Sequence, residues 1–411
     1  MPKQSLQPVL QKKEQSINVI YVSSYIPRKC GIATYTKDMT NALNLLNARS
    51  LAEILVVDRP EEPGEYPWEA KFKMTEGDLA EYLSAAEYVN RSHCDLVSLQ
   101  HEFGIFGGEL GEYIVHFAEA LERPLVTTFH TVPEEPTAKQ RDILKRLARK
   151  SEAIVIMMHE GARRLVKWYG ISKNKIVVVP HGVPDLTFND TVQYKKQRQI
   201  SDRIVLGNIN LLSPWKGVEY SLQAVAQIAK KYPQVLYMVI GQTHPAMLRE
   251  HGEEYRNSLR KLVRELGITN NVRFVNEYLS LPDLIKWLKT LDFYVTPYID
   301  PDQVTSGALA YALGAGKACV STPYIYAQEV LAEGRGVLVP FRDPAAIAEA
   351  VIRLLENPQE KSEIEHRAYQ YGRLMTWPNV ANSHLNLFRT VLKKHSLRLV
   401  REAKADQPAS A

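Results

Sequence analysis

Asp302-Gln303-Val304-Thr305-Ser306-Gly307-Ala308-Leu309-Ala310-Tyr311-Ala312-Leu313-Gly314-Ala315-Gly316-Lys317 runs into Ala318-Cys319-Val320-Ser321-Thr322, so that a loop of small and hydroxyl residues opens into a helix and then a buried-type strand. A loop opening directly into a helix aims several unpaired backbone N–H groups and the positive end of the helix dipole at one spot, which suits phosphate. The stretch therefore predicts a nucleotide-type ligand.

Working outward, apolar strand-like runs alternate with helix-period segments along the whole chain. The first half offers Ile17 to Val22, Ile54 to Asp58, Asp95 to Gln100, Leu125 to His130, Ala153 to Met157 and Ile176 to Pro180 as strands. The second half offers Ile204 to Ile209, Val235 to Gly241, Val272 to Asn276, Phe293 to Pro297, Ala318 to Thr322 and Val337 to Pro340. Strands this apolar, each followed by a helix, require parallel sheets covered on both faces. The fold class is α/β, with two doubly wound Rossmann-like domains. At 411 residues the chain also exceeds what one core usually serves. The expected boundaries are a first domain over 1–185, a polar linker over 186–202, a second domain over 203–375, a helix over 376–400 crossing back to the first domain, and a disordered tail over 401–411. Open parallel sheets bind ligands at the carboxyl ends of their strands, which puts the site in a cleft between the domains.

Composition narrows the class. Hydrophobic residues make up 45% and charged residues 24%, with a net charge of +5 that does not by itself imply nucleic acid. No window approaches the ~18 uninterrupted apolar residues of a membrane span, and Met1 to Ser16 has no signal-peptide core, so a cytoplasmic location is expected. Cys30, Cys94 and Cys319 are scattered and lack metal-ligand spacing, so no metal site is expected. Lys139, Arg141, Lys145, Arg146, Arg149, Lys150, Arg163, Arg164 and Lys167 form a basic run, with Ile143, Leu144 and Leu147 as an apolar stripe. It reads either as a solvated helix packed by its inner face, or as a surface that meets anionic membrane lipid or an acidic acceptor.

Both halves place a glycine-bearing loop after their first strand, Tyr25 to Thr34 and Leu211 to Gly217. Neither is a dinucleotide fingerprint nor a Walker loop, which removes the usual support for hydride transfer and P-loop hydrolysis. Lys216, at a helix start, is placed to meet a phosphate or to be an ordinary surface residue.

Taken together, Pro27-Arg28-Lys29-Cys30-Gly31-Ile32-Ala33-Thr34, Thr127-Thr128-Phe129-His130-Thr131, Val179-Pro180-His181-Gly182-Val183, Ser213-Pro214-Trp215-Lys216-Gly217, Ala312-Leu313-Gly314-Ala315-Gly316-Lys317 and Gly336-Val337-Leu338-Val339-Pro340 resemble the landmarks of retaining GT-B glycosyltransferases, specifically glycosyltransferase family 4. The first of these, with Gly241-Gln242-Thr243-His244-Pro245 and Ser306 to Ala312, looks most like a mannosyltransferase-like branch. The resemblance implies a nucleotide-sugar donor, GDP-mannose, held by the second domain. It implies a glycan, lipid-linked or small-molecule acceptor on the first, and no separate cofactor or metal. It also implies front-face attack, with the leaving diphosphate helping to deprotonate the acceptor.

Carried over residue by residue, the resemblance assigns catalysis to Gly31, His130 and Lys216. Gly31 would lie against the donor where a side chain would obstruct it, or simply serve a tight turn. His130 would reach the donor sugar, or be a satisfied core histidine. Lys216 would bind the diphosphate. Gln303, Thr305, Ser306, Gly307, Ala308 and Tyr311 would bind the donor, and Glu329 would either take ribose or stand in solvent. His101 and Glu102 would line the acceptor side, or merely pack. The sequence departs from the family at Leu211, where an arginine is usual, and at Gln303 and Tyr311, where paired glutamates are usual. These departures keep two alternatives open: a GT-B protein that binds nucleotide sugar or glycan without transfer, and a sugar-nucleotide epimerase.

Overall fold

The structure is a computed structural model that describes residues 16–61, 64–188 and 191–405. In the first domain the strands are β1 (Val19–Ser23), β2 (Glu53–Asp58), β3 (Ala70–Thr75), β4 (Leu96–His101), β5 (Leu125–Phe129), β6 (Ala153–Ile156) and β7 (Ile176–Val178). They form one sheet in the order β3-β2-β1-β4-β5-β6-β7, every pair parallel. The second domain holds β8 (Ile204–Ile209), β9 (Val235–Ile240), β10 (Val272–Val275), β11 (Phe293–Thr296), β12 (Ala318–Ser321) and β13 (Val337–Leu338). Their order is β10-β9-β8-β11-β12-β13, again all parallel.

Central strands such as β1, β4, β5 and β9 are buried at every position, as strands with both faces under helices must be. β3 is the strand that hydrophobicity does not announce. It lies at the sheet edge, and its Lys71 is exposed to solvent.

The chain crosses between domains at two adjacent points. Val183 N donates to Met375 O at 2.8 Å and Trp377 N donates to Val183 O at 2.9 Å, so the outgoing and returning strands are bonded to one another. Beyond the return, helix Trp377–Ala405 packs on helix Gly31–Leu46 of the first domain. Residues 401–405, expected as the start of a disordered tail, belong to that helix. The remainder of that stretch lies outside the described residues, as does most of the Met1 to Ser16 stretch. Residues 186–202, expected as a linker, hold helix Thr191–Gln197, which is anchored to the second domain by Lys195 on Asp292 at 2.7 Å. One apolar cluster runs from Val19 and Tyr35 through Trp377 to Leu309 and Leu313, so the two domains share packing where they meet.

The basic run divides into two helices, Ala138–Lys150 and His159–Tyr169, with β6 between them. Ile143, Leu144 and Leu147 face the core, while Lys139 pairs with Glu112, Arg146 with Glu119 and Arg163 with Glu160. Among the described residues no helix is long and apolar enough to cross a membrane.

Candidate functional site

A cavity of about 190 Å³ lies between the domains, at the carboxyl ends of both sheets. The first domain contributes Cys30, Gly31, Thr34 and Tyr35, from the loop after β1 and the first turn of helix Gly31–Leu46. The second contributes Leu211, Gly241, Gln242, Glu277, Tyr278, Gly307, Ala308 and Tyr311. His181, beside the crossing, closes one side.

Two helix N-termini therefore face this space. Cys30 caps the first, its Sγ accepting from Ala33 N at 3.3 Å. Ser306 caps the second, helix Gly307–Gly314, its Oγ accepting from Leu309 N at 3.3 Å. A Cβ on Gly31 would meet nothing within 4 Å, whereas one on Gly307 would stand 3.0 Å from His181 Nε2. The glycine at 31 is thus not demanded by its own packing and leaves room in the cavity, while that at 307 lets the domains approach.

His130 follows β5 and is buried. Its Nε2 bonds Gln100 Oε1 at 3.0 Å, and Tyr35 meets its ring edge-on at 4.9 Å. Burial, with His181 and His101 nearby, pushes its pKa down to about 3, so the imidazole is neutral at physiological pH. Its backbone O accepts from Thr305 Oγ1 at 3.4 Å, which brings Thr305 of the second domain to it. Gln303 folds back on the same loop, its Nε2 donating to Thr305 O at 2.8 Å. Lys216 stands outside the cavity, half-buried, with its Nζ 3.9 Å from the centre of the Tyr298 ring.

Other expected residues go elsewhere. His101 is a core histidine: Phe103, Phe106 and Phe129 surround its ring, neither nitrogen has a partner among the described residues, and burial lowers its pKa to about 3. Glu102 accepts from Thr131 Oγ1 and Phe103 N, closing a turn. Glu329 does not reach the cavity, because it accepts from His159 N at 2.8 Å and Glu160 N at 3.1 Å and so caps helix His159–Tyr169 across the domain boundary. Tyr311 lines the cavity with its ring, but its phenol donates to Asp38 Oδ2 at 2.6 Å.

Tyr35, Asp38, His181, Glu277 and Tyr278 are site residues that the sequence did not single out as such. Only His181 belonged to a quoted landmark. Tyr35 and Asp38 take their places from how two distant helices meet, and Glu277 and Tyr278 from the loop after β10, which no local pattern encodes. Arg164, read as part of a basic helix, is instead buried and joins Asp302 of the second domain at 3.0 Å and Glu134 at 2.9 Å.

A sequence model described as Glycosyltransferase Family 4 matches residues 31–185, and one described as Glycosyl transferases group 1 matches residues 190–375. The chain belongs to the family 4, group 1 glycosyltransferases. Among relatives of this chain is a D-inositol 3-phosphate glycosyltransferase of Corynebacterium efficiens, 24% identical over 64% of this chain and 65% of its own length. Another is a phosphatidyl-myo-inositol mannosyltransferase of Mycolicibacterium smegmatis, 24% identical over 66% of this chain and 67% of its own. The chain spans 65%, 43% and 62% of three D-inositol 3-phosphate glycosyltransferases it matches.

Solved structures with the same GT-B arrangement include sucrose-phosphate synthase from Thermosynechococcus elongatus, with a TM-score of 0.76 and 16% identity over 92% of this chain and 100% of that one. The Anabaena HepE protein in complex with UDP gives a TM-score of 0.72 and 16% identity over 91% and 100%. At such identities the likeness is one of fold. In this chain the two parallel-sheet domains face each other across the cavity lined by Gly31 and Gly307.

Proposed function

We propose that the protein is a retaining glycosyltransferase that moves a hexose, mannose from GDP-mannose, to a glycan, lipid-linked or small-molecule acceptor. The observation that carries this reading is the facing of two capped helix N-termini, at Gly31 and Gly307, across one interdomain cavity. Negative charge that grows on a leaving diphosphate is stabilised by such helix ends and by a nearby ammonium group. Lys216 is that group: its Nζ lies over the Tyr298 ring and pairs with no carboxylate among the described residues, so it is available to swing onto a phosphate. His130, neutral, can orient a sugar hydroxyl by hydrogen bonding but carries no charge to the reaction. No protein nucleophile is needed where the leaving diphosphate itself takes the acceptor proton. The named activities of the relatives, one of them a mannosyltransferase, support sugar transfer.

Glu277 favours guanine over uracil. Glu277 is one of the residues lining the cavity, and guanine would offer a carboxylate two adjacent N–H donors where uracil offers one. Nucleotide-sugar sites need roughly 300–1,000 Å³, so the cleft opens to admit donor and closes on it.

The test is nucleoside diphosphate release from a panel of GDP- and UDP-sugars, with and without acceptors, and product analysis for sugar isomers. Turnover of GDP-mannose is expected, and Lys216→Ala is expected to lower kcat/KM by about 10–100-fold, the worth of one charge-assisted hydrogen bond. Because Leu211 stands where a cation is usual, the second reading is binding without transfer. That reading replaces the first if donors bind and none is consumed. Indifference of both binding and turnover to Lys216→Ala sinks the diphosphate role of that residue.

A further inference from the structure

The shortest polar contact between the domains at the cavity wall joins Asp38 to Tyr311. Asp38 lies on helix Gly31–Leu46, one turn beyond Thr34 and Tyr35, which line the cavity. Tyr311 lies on helix Gly307–Gly314, one turn beyond Gly307 and Ala308, which line it from the other side. The phenol donates to the carboxylate at 2.6 Å, and the two side chains are 8% and 5% exposed.

A carboxylate this deeply buried is costly unless something bonds it. Lys37, its neighbour in sequence, is committed to Glu69 at 2.6 Å. Among the described residues, Tyr311 is therefore the hydrogen-bond donor to the Asp38 carboxylate. The pairing also fits only one way round, because a carboxylate at 311 would set two like charges at hydrogen-bond distance out of water. Other side-chain bonds across the domain boundary lie away from the two facing helices, as the Glu329 cap on helix His159–Tyr169 does, or have a more exposed partner. Asp302, which meets Arg164, is 55% exposed at its side chain, and Thr34 meets Tyr278, which is 37% exposed. Exposed pairs hold little against water and salt.

We propose that Asp38 is a positioning residue that acts through Tyr311, fastening the donor-side helix Gly307–Gly314 to helix Gly31–Leu46 and setting the closed geometry in which their two N-termini face one another. The pair takes no part in bond making. It holds the cleft shut without ligand, yields when donor enters, and re-forms around it. Its kinetic consequence rests on the transferase reading; its structural consequence does not.

The experiment compares the parent with Tyr311→Phe, Asp38→Ala and Asp38→Asn, by small-angle scattering of the unliganded full chain and by donor kinetics with GDP-mannose. Tyr311→Phe and Asp38→Ala are expected to enlarge the radius of gyration and to lower kcat by about tenfold, the loss of one charged hydrogen bond, while KM for donor stays level or falls. Asparagine keeps an acceptor oxygen for the phenol, so Asp38→Asn is expected to restore the compact form and most of kcat. Thermal melts on each variant identify any that has lost its fold, and Tyr311→Phe, which removes a single oxygen, then decides. The proposal is overturned if Tyr311→Phe scatters and turns over like the parent, or if Asp38→Asn is as impaired as Asp38→Ala. Should the parent consume no donor, the transferase reading falls while the scattering comparison still decides the latch.

Discussion

Gly31 stands at the first position of its helix with open space where a side chain would be, and its backbone is not in the left-handed region. Nothing in its own packing requires glycine. Alanine there would lose less chain entropy on folding, so Gly31→Ala is expected to leave the protein as stable as the parent or up to about 1 kcal/mol more stable. Its methyl group would project into the cavity and is expected to weaken donor binding at least tenfold. A thermal melt and a nucleotide-sugar titration on one variant read both, and a loss of stability with unchanged affinity would make Gly31 a turn residue. Gly31 stood out in the sequence because close approach needs a missing side chain, and it lines the cavity. His101 and Glu329 illustrate the opposite: a histidine or glutamate after a strand or at a helix start serves the cavity, the core or a cap equally well as far as sequence goes. Only the phenylalanines around the first and the backbone N–H groups under the second decide.

Helix Gly307–Gly314 shows what a short element needs to hold position. With eight residues it is too short to be stable alone, so its place comes from packing and caps. Leu309 to Leu313 are buried, and Gly314 meets Gly372 so closely that a Cβ on Gly372 would stand 2.6 Å from Gly314 Cα. Ser306→Ala removes the cap and is expected to cost about 1 kcal/mol of unfolding free energy, read by denaturant titration, and to weaken nucleotide binding as the first turn frays. Unaltered stability would mean that packing alone fixes the helix start. The parallel strands, by contrast, were readable one by one, since each central strand carries a run of apolar residues. β3 escaped because an edge strand with lysines on it lacks that signature. The basic run misled for a related reason. Charge marks a surface but not the strand that cuts it in two, nor the carboxylates on neighbouring elements that neutralise much of it.

At the scale of the whole molecule, the two sheets were implied by sequence while their mutual placement was not, since Asp38 and Tyr311 are 273 residues apart and neither announces the other. The same assembly buries His101, His130, His181 and His384 from water, and burial lowers their pKa values to about 3, 3, 4 and 4. In the unfolded chain each returns to roughly 6.5. Their contribution to stability is therefore complete above pH 6.5 and is lost as pH falls toward 4, because the unfolded chain takes up protons that the folded one refuses. Asp38 works in the other direction. Desolvation raises it to about 6, so between pH 6 and 4 the folded state takes up a proton there and regains stability. Desolvation raises Glu102 as well, so these two carboxyls offset part of what the four imidazoles lose, and the net is a loss on the order of 1 kcal/mol per uncompensated histidine for each pH unit. Tm measured from pH 7.5 to 4.5 is expected to begin falling near pH 6.5. Among the four, His384 lies on the returning helix away from the cavity, against Phe388, with neither ring nitrogen bonded. His384→Phe is expected to flatten that decline by about one proton's worth without touching donor affinity. A Tm that holds level between pH 7 and 5 in the parent would mean that these histidines find water or protons in the folded state, and that the two domains are less tightly joined than the shared packing through Tyr35, His181 and Trp377 requires.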